Sequence, residues 1–161
     1  MYLANLQELG YCHKDFHSGN ILQDKEASYV SDFGLTGPAN KQGSNDKIYG
    51  VLPYIAPEVL NGESYTLASD IYSFALDICN GLRPEFGTGT PEFYKKLAYR
   101  CMNANPNQRP TSEDLRRILS FWWARIVCMS SKPNFPIDKC ELRLILQWFL
   151  YMEMFMAEDL G

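Results

Sequence analysis

Leu3, Leu6 and Leu9 recur at threefold spacing, and Gly10 follows; the pattern predicts the end of a helix. Two short runs, Ile21-Leu22 and Ser28-Tyr29-Val30, flank a polar turn and predict a β-hairpin. Residues 36–50 hold three Gly, one Pro and two Asn without sustained periodicity, so they read as a long loop of the kind that usually carries function. From Thr66 the pattern becomes helical, with Ile71, Phe74, Ala75 and Ile78 on one face. Residues 81–91, with three Gly and two Pro, are expected to be irregular. Thr90-Pro91-Glu92 then predicts a helix start, with Thr90 as cap and Pro91 at the first helical position. Phe93, Leu97 and Cys101 are expected to form its buried stripe. Thr111-Ser112-Glu113-Asp114 opens another helix, with Leu115, Ile118, Leu119 and Trp122 inward.

Beyond Trp123 the character changes. Residues 128–137 contain two Ser and two Pro and read as a linker. Asp138-Lys139-Cys140-Glu141 is a capping box for a last helix over 138–157. That helix is apolar on two faces: Leu142, Ile145, Leu146 and Phe149 on one, Trp148, Tyr151 and Phe155 on the other. A helix apolar on both sides needs neighbours on both sides. Segments 114–122 and 141–149 resemble each other as two similar amphipathic helices do.

Composition narrows the function classes. The 161 residues suffice for one modest domain with a core, and 46% apolar and 21% charged residues are ordinary for a globular protein. A net charge of −4 offers no basic stripe for nucleic acid or anionic lipid. Five cysteines without a C-x-x-C pair argue for reduced thiols and a cytoplasmic setting. The longest apolar stretch, 144–156, is interrupted by Gln147 and Glu153 and is too short to span a bilayer. No signal peptide is read at the start of the chain.

The chemistry lies in a set of ordered motifs. His13-Lys14-Asp15-Phe16-His17-Ser18-Gly19-Asn20 is followed by Asp32-Phe33-Gly34. An acid, an amide five positions later and a second acid at a Phe-Gly turn can build a site for a metal-bound phosphate. Tyr54-Ile55-Ala56-Pro57-Glu58, Ser69-Asp70-Ile71-Tyr72-Ser73-Phe74 and Asn105-Pro106-Asn107-Gln108-Arg109-Pro110 follow in order. In this order the chain resembles the C-terminal lobe of a eukaryotic protein kinase over residues 11–119, with a tyrosine-kinase-like flavour. The resemblance implies a mainly α fold: a kinase-like C-lobe helical bundle with a short β-hairpin, plus an extra C-terminal helix. It implies a partial kinase domain over 1–120 and an unassigned tail over 121–161.

The resemblance also implies roles. Asp15 matches the catalytic aspartate that orients the substrate hydroxyl and takes its proton. Asn20 and Asp32 match the ligands of Mg²⁺ on ATP. His13 matches a structural residue packed against Phe33. His17 stands where kinases usually carry Lys or Arg beside the γ-phosphate, and neutral imidazole supplies less charge there. Lys14 stands in place of an Arg that grips a phosphorylated loop, a contact Lys cannot make bidentately. Residues 32–58 match the activation segment, with Thr36, Ser44 and Tyr49 as phosphorylatable hydroxyls. Val51 occupies a position usually held by Thr in Ser/Thr kinases; its methyls cannot hydrogen-bond Asp15, so Ser/Thr and Tyr targets both stay open. Glu58 and Arg109 match a buried ion pair, and Asp70 a helix acid that binds the catalytic-loop backbone.

Two departures shape the expectation. The Gly-rich loop, strand Lys and helix Glu of the family's upper lobe find no counterpart in the twelve residues ahead of His13. The chain also passes from Ser73–Leu76 directly to Asp77–Pro84, as though a substrate-side helix were deleted, which predicts a cavity or exposed patch. The expected function is ATP-dependent phosphoryl transfer to a protein, with the isolated chain inactive for want of the upper lobe. The alternative is a non-catalytic, pseudokinase-like module that binds a protein partner, with helix 138–157 as an association surface.

Overall fold

The computed structural model describes residues 3–23, 28–41, 48–78 and 91–130. The expectations for Ser44, for the segment 79–90 with its apparent deletion and for helix 138–157 lie outside these residues. Elements run in the order α1 (Leu3–Glu8), β1 (Tyr11–Cys12), β2 (Ile21–Gln23), β3 (Ser28–Val30), β4 (Gly37–Pro38), α2 (Pro57–Leu60), α3 (Leu67–Ile78), α4 (Glu92–Cys101) and α5 (Ser112–Ser130). The described part is mainly helical, with two small antiparallel β pairs.

Helix α3 is the axis of the molecule, because consecutive residues from Ser69 to Leu76 are all buried. One side, Ile71, Phe74 and Ala75, joins Leu3 and Leu6 of α1, Tyr94 and Leu97 of α4, and Leu115 and Leu119 of α5. Its other side, Tyr72 and Leu76, joins Cys12, Ile55, Val59 and Tyr65. Each fully buried Phe, Leu or Ile side chain contributes about 1.5–3 kcal/mol, so α3 ties two small cores together.

Helix α1 ends where Gly10 adopts φ +75°, a left-handed value natural to glycine. The hairpin pairs Ile21 with Val30 and Gln23 with Ser28. The long loop is not wholly irregular: Gly37 and Pro38 pair with Cys12 and Tyr11, which pins the segment after the Asp-Phe-Gly turn beneath the His13–Asn20 loop.

Two helix assignments are corrected. Helix α4 starts at Glu92, with Pro91 itself at the cap position and no side-chain cap bond. Its buried stripe is Tyr94, Leu97, Ala98 and Cys101, whereas Phe93 is exposed, one position off the core-facing rows. Helix α5 does begin with a reciprocal box, Thr111 Oγ1 accepting from the Asp114 amide and Asp114 Oδ2 from the Thr111 amide. It continues through Ser130, so the linker expected from residue 128 starts later. Nothing in Phe121–Ser130 breaks a helix until Pro133, and propagation costs little once a helix is nucleated.

Candidate functional site

The site is built on Asp70. Its carboxylate is buried in α3 and accepts the backbone amides of His13 (2.8 Å to Oδ2) and Lys14 (3.1 Å to Oδ1). These bonds hold Lys14 at φ +70°, a strained value for a side chain of this kind, and so turn the chain sharply into Asp15. Burial pushes the Asp70 carboxyl up to about 7, against the pull of the two amides and of Lys14. The His13 ring is fully enclosed: Nε2 donates to the Ser31 carbonyl at 3.0 Å, and Phe16 and Phe33 meet the ring edge-on at 5.9 and 5.5 Å. Its Nδ1 has no partner, and burial holds the ring below the ordinary histidine value, which fits a neutral packing role.

Asp15 is one-fifth exposed and held from several sides. Its Oδ1 accepts the Val51 backbone amide at 3.3 Å. Asn20 Nδ2 donates to the Asp15 carbonyl at 2.8 Å and lies 3.4 Å from Oδ2. His17 Nδ1 accepts from the Gly19 amide at 3.1 Å, which leaves the proton of a neutral ring on Nε2, 3.6 Å from Asp15 Oδ1. Gly19 is required there, since a Cβ would stand 2.9 Å from His17 Cε1. Val51 thus reaches Asp15 after all, through its backbone; the expectation had considered only its side chain.

The second acid arrives through the hairpin. The Asn20 carbonyl accepts both the Ser31 amide (2.8 Å) and Ser31 Oγ (3.0 Å), so Asp32 follows one residue after a position bonded to Asn20. Asp32 is exposed, takes φ +57° and accepts the Gly34 amide on Oδ1. With the Asn20 amide nitrogen engaged on Asp15, its oxygen is the end left for a metal. Asn20 and Asp32 therefore offer hard oxygen donors only, the set that suits Mg²⁺. Among the described residues no three His, Cys, Asp or Glu side chains gather as a metal cluster.

The strip after the loop is clamped close to Asp15. Tyr65 donates its hydroxyl to the Tyr49 carbonyl at 2.5 Å, Ser73 donates to the Tyr54 carbonyl at 2.6 Å, and Gly50 sits between at φ +116°. A Cβ on Gly50 would lie 3.2 Å from the Lys14 carbonyl and 3.3 Å from Asp15 Oδ1. Lys14 Nζ lies 5.7 Å from the Tyr65 ring centre and over Gly37, so Lys14 packs against the strip. Tyr65, Ser73 and Gly50 escaped the sequence reading. Only Gly50, a glycine inside a docking strip, carried a legible signal. Of the candidate phosphorylation sites, Tyr49 is exposed, whereas Thr36 Oγ1 is enclosed and without a partner, a correction to its reading as an available hydroxyl.

Beneath the strip, Glu58 and Arg109 form a bidentate pair with both N–O distances at 2.6 Å. Arg109 also donates to the carbonyls of Asn103 and Ala68 and stacks over Tyr72.

This ordering of loop, turn, strip and ion pair coincides with a family-wide match: the general protein kinase domain pattern aligns with residues 3–86. The chain belongs to the protein kinase family. Among its relatives in Dictyostelium discoideum, one named as a probable serine/threonine-protein kinase is 33% identical over 132 residues, covering 71% of this chain and 13% of the relative. Another of the same description is 28% identical, covering 70% and 8%, and drkB is 31% identical, covering 66% and 19%. This kinase-family chain therefore spans less than a fifth of the length of these relatives. Among the described residues no helix is long and apolar enough to cross a membrane.

Proposed function

We propose that residues 1–120 form the C-lobe part of a protein kinase, of tyrosine-kinase-like flavour, that transfers the γ-phosphoryl group of ATP to a protein hydroxyl. The observation that carries this is the Asp15 carboxylate, held on one oxygen by the Val51 amide with Asn20 against its other side. The substrate hydroxyl approaches Asp15, attacks the γ-phosphorus as the bond to the β-phosphate oxygen breaks, and passes its proton to Asp15. Asn20 and Asp32 would hold Mg²⁺, which when bound neutralises phosphate charge. His17 and the Val51 amide keep Asp15 aimed at the hydroxyl. The names of the relatives favour Ser or Thr as the acceptor.

The test is incorporation from γ-labelled ATP with Mg²⁺ into a generic protein substrate, comparing the chain with Asp15→Ala. The variant is expected to lose about 10²–10⁴-fold; equal incorporation by both would refute the assignment. A second reading, a non-catalytic protein-binding module, is favoured by an apolar groove lined by Leu52, Pro53, Ile55, Pro57, Leu60, Tyr72 and Leu76. Its rim residues Leu52 and Leu60 are 68% and 46% exposed. No incorporation by either protein, together with a partner recovered by the chain and lost on Leu52→Asp, would decide for that reading.

A further inference from the structure

The outer face of α5 carries an apolar stripe at heptad spacing. Arg117, Phe121 and Ala124 repeat along it, and Cys128 is the next position. Phe121 is 59% exposed, with the Arg125 guanidinium 5.7 Å from its ring centre. Beside it on α5, Trp122 meets Phe93 of α4 edge-on at 4.4 Å, and Phe93 is itself 40% exposed. The chain continues for 31 residues beyond Ser130. In that stretch, 138–157 carries two stripes of its own. Cys140, Leu144, Trp148, Tyr151 and Phe155 form one; Leu142, Ile145, Phe149, Met152 and Met156 form the other, about 100° round a helix.

We propose that residues 138–157 fold back antiparallel over α5 of the same chain, the first stripe on Phe121 and the second turned towards the Phe93–Trp122 edge. Residues 131–137, with Pro133 and Pro136, make a helix-ending connection of a length that joins antiparallel neighbours. The lengths also match: the 19 residues of α5 span about 28 Å and residues 138–157 about 30 Å.

The register follows from the two ends. Counting back from Ser130 and forward from Asp138 brings position 128 level with Cys140, Ala124 with Leu144, Phe121 with Trp148 to within one residue, and Arg117 with Tyr151. Small meets large at 124 and 144, aromatic meets aromatic at 121 and 148, and a cation meets a ring at 117 and 151. Glu141 falls at the level of Arg125 and on the same flank. Charge agrees at larger scale. Residues 138–161 hold Asp138, Glu141, Glu153, Glu158 and Asp159 against Lys139 and Arg143, while α5 exposes Arg116, Arg117 and Arg125.

The native cysteines test this directly. The full chain, at low micromolar concentration, is treated with a short bismaleimide, digested and mapped by mass spectrometry. The expected product is an intrachain bridge between Cys128 and Cys140 in a monomer. Phe121→Asp, at an already exposed position, should lower its yield about tenfold. Arg125→Glu should lower it about twofold or more, with recovery in Arg125→Glu/Glu141→Arg. Bridging between two chains would overturn the proposal in favour of a second copy. Separate capping of both thiols without a bridge would overturn it outright, as would a yield indifferent to Phe121→Asp.

Discussion

Removing the Arg109 side chain should be among the most damaging single changes available to this chain. Its guanidinium is buried with the Glu58 carboxylate and donates four hydrogen bonds: two to Glu58 and one each to the carbonyls of Asn103 and Ala68. Arg109→Ala strands an ionised carboxylate in a dry site, and breaking such a pair costs about 3–5 kcal/mol. The two carbonyls left unpaired add about 1 kcal/mol each where water cannot reach them. Against a typical domain stability of about 5–15 kcal/mol, this is a large share. For a chain of this size each kcal/mol moves the melting temperature by about 2–4 °C, so a fall of roughly 10 °C or more is expected. Urea titration followed by tryptophan fluorescence supplies the free energy. Arg109→Lys should recover only part of the loss, because one ammonium cannot span both carboxylate oxygens and the Asn103 carbonyl. The double variant Glu58→Leu/Arg109→Met should be far less harmful than Arg109→Ala alone, since no charge is stranded. A loss below about 1 kcal/mol in Arg109→Ala, or a double variant as damaged as the single, would refute the reasoning.

Gly50→Ala should destabilise the chain by about 1–2 kcal/mol, through the unfavourable φ and the crowding of Asp15 Oδ1; it should also speed exchange of the Val51 amide, and unchanged protection of that amide would count against the clamp. Tyr65→Phe should cost about 1 kcal/mol by freeing the Tyr49 carbonyl, read by urea titration, with wild-type stability as the contrary result. The Asp70 carboxyl is raised from 3.8 to about 7 by burial. The folded chain therefore keeps a proton that the unfolded chain has lost between about pH 4 and 7. The Asp70 contribution is fully present below that window and falls as pH rises through it, by up to about 1.4 kcal/mol per pH unit. Asp70→Asn should remove this slope from stability measured across the window, and parallel curves for the two proteins would exclude the assignment.

Several parts of the molecule were legible in the residues. The Leu3–Leu6 repeat, the α3 face and the Thr111–Asp114 box depend on contacts within a few positions, and local spacing records such contacts. The phosphate-site triad was legible for a different reason: Asp15, Asn20 and Asp32 are chemically unusual together and close in sequence. The start of α4 was misread because Thr90-Pro91-Glu92 allows Pro91 as cap or as first helical residue, and packing against α3 selects the row of Tyr94 over that of Phe93. The end of α5 was misread because serines near 130 permit either a helix or a linker.

By itself, the order of residues determined the family and the identity of the groups a phosphoryl-transfer site would use, since these depend on residue type and short spacing. It also specified Glu58 and Arg109 as complementary charges. Tertiary structure decided how Asp15 is held. The Val51 amide, the close approach of Gly50 and the Tyr65 clamp join positions from 14 to 36 residues apart. Backbone amides and carbonyls are identical at nearly every residue, so no sequence pattern announces which of them will be used. Only the packing of α3 between two cores, with Asp70 drawing the loop onto it, brings that particular amide to that particular carboxylate.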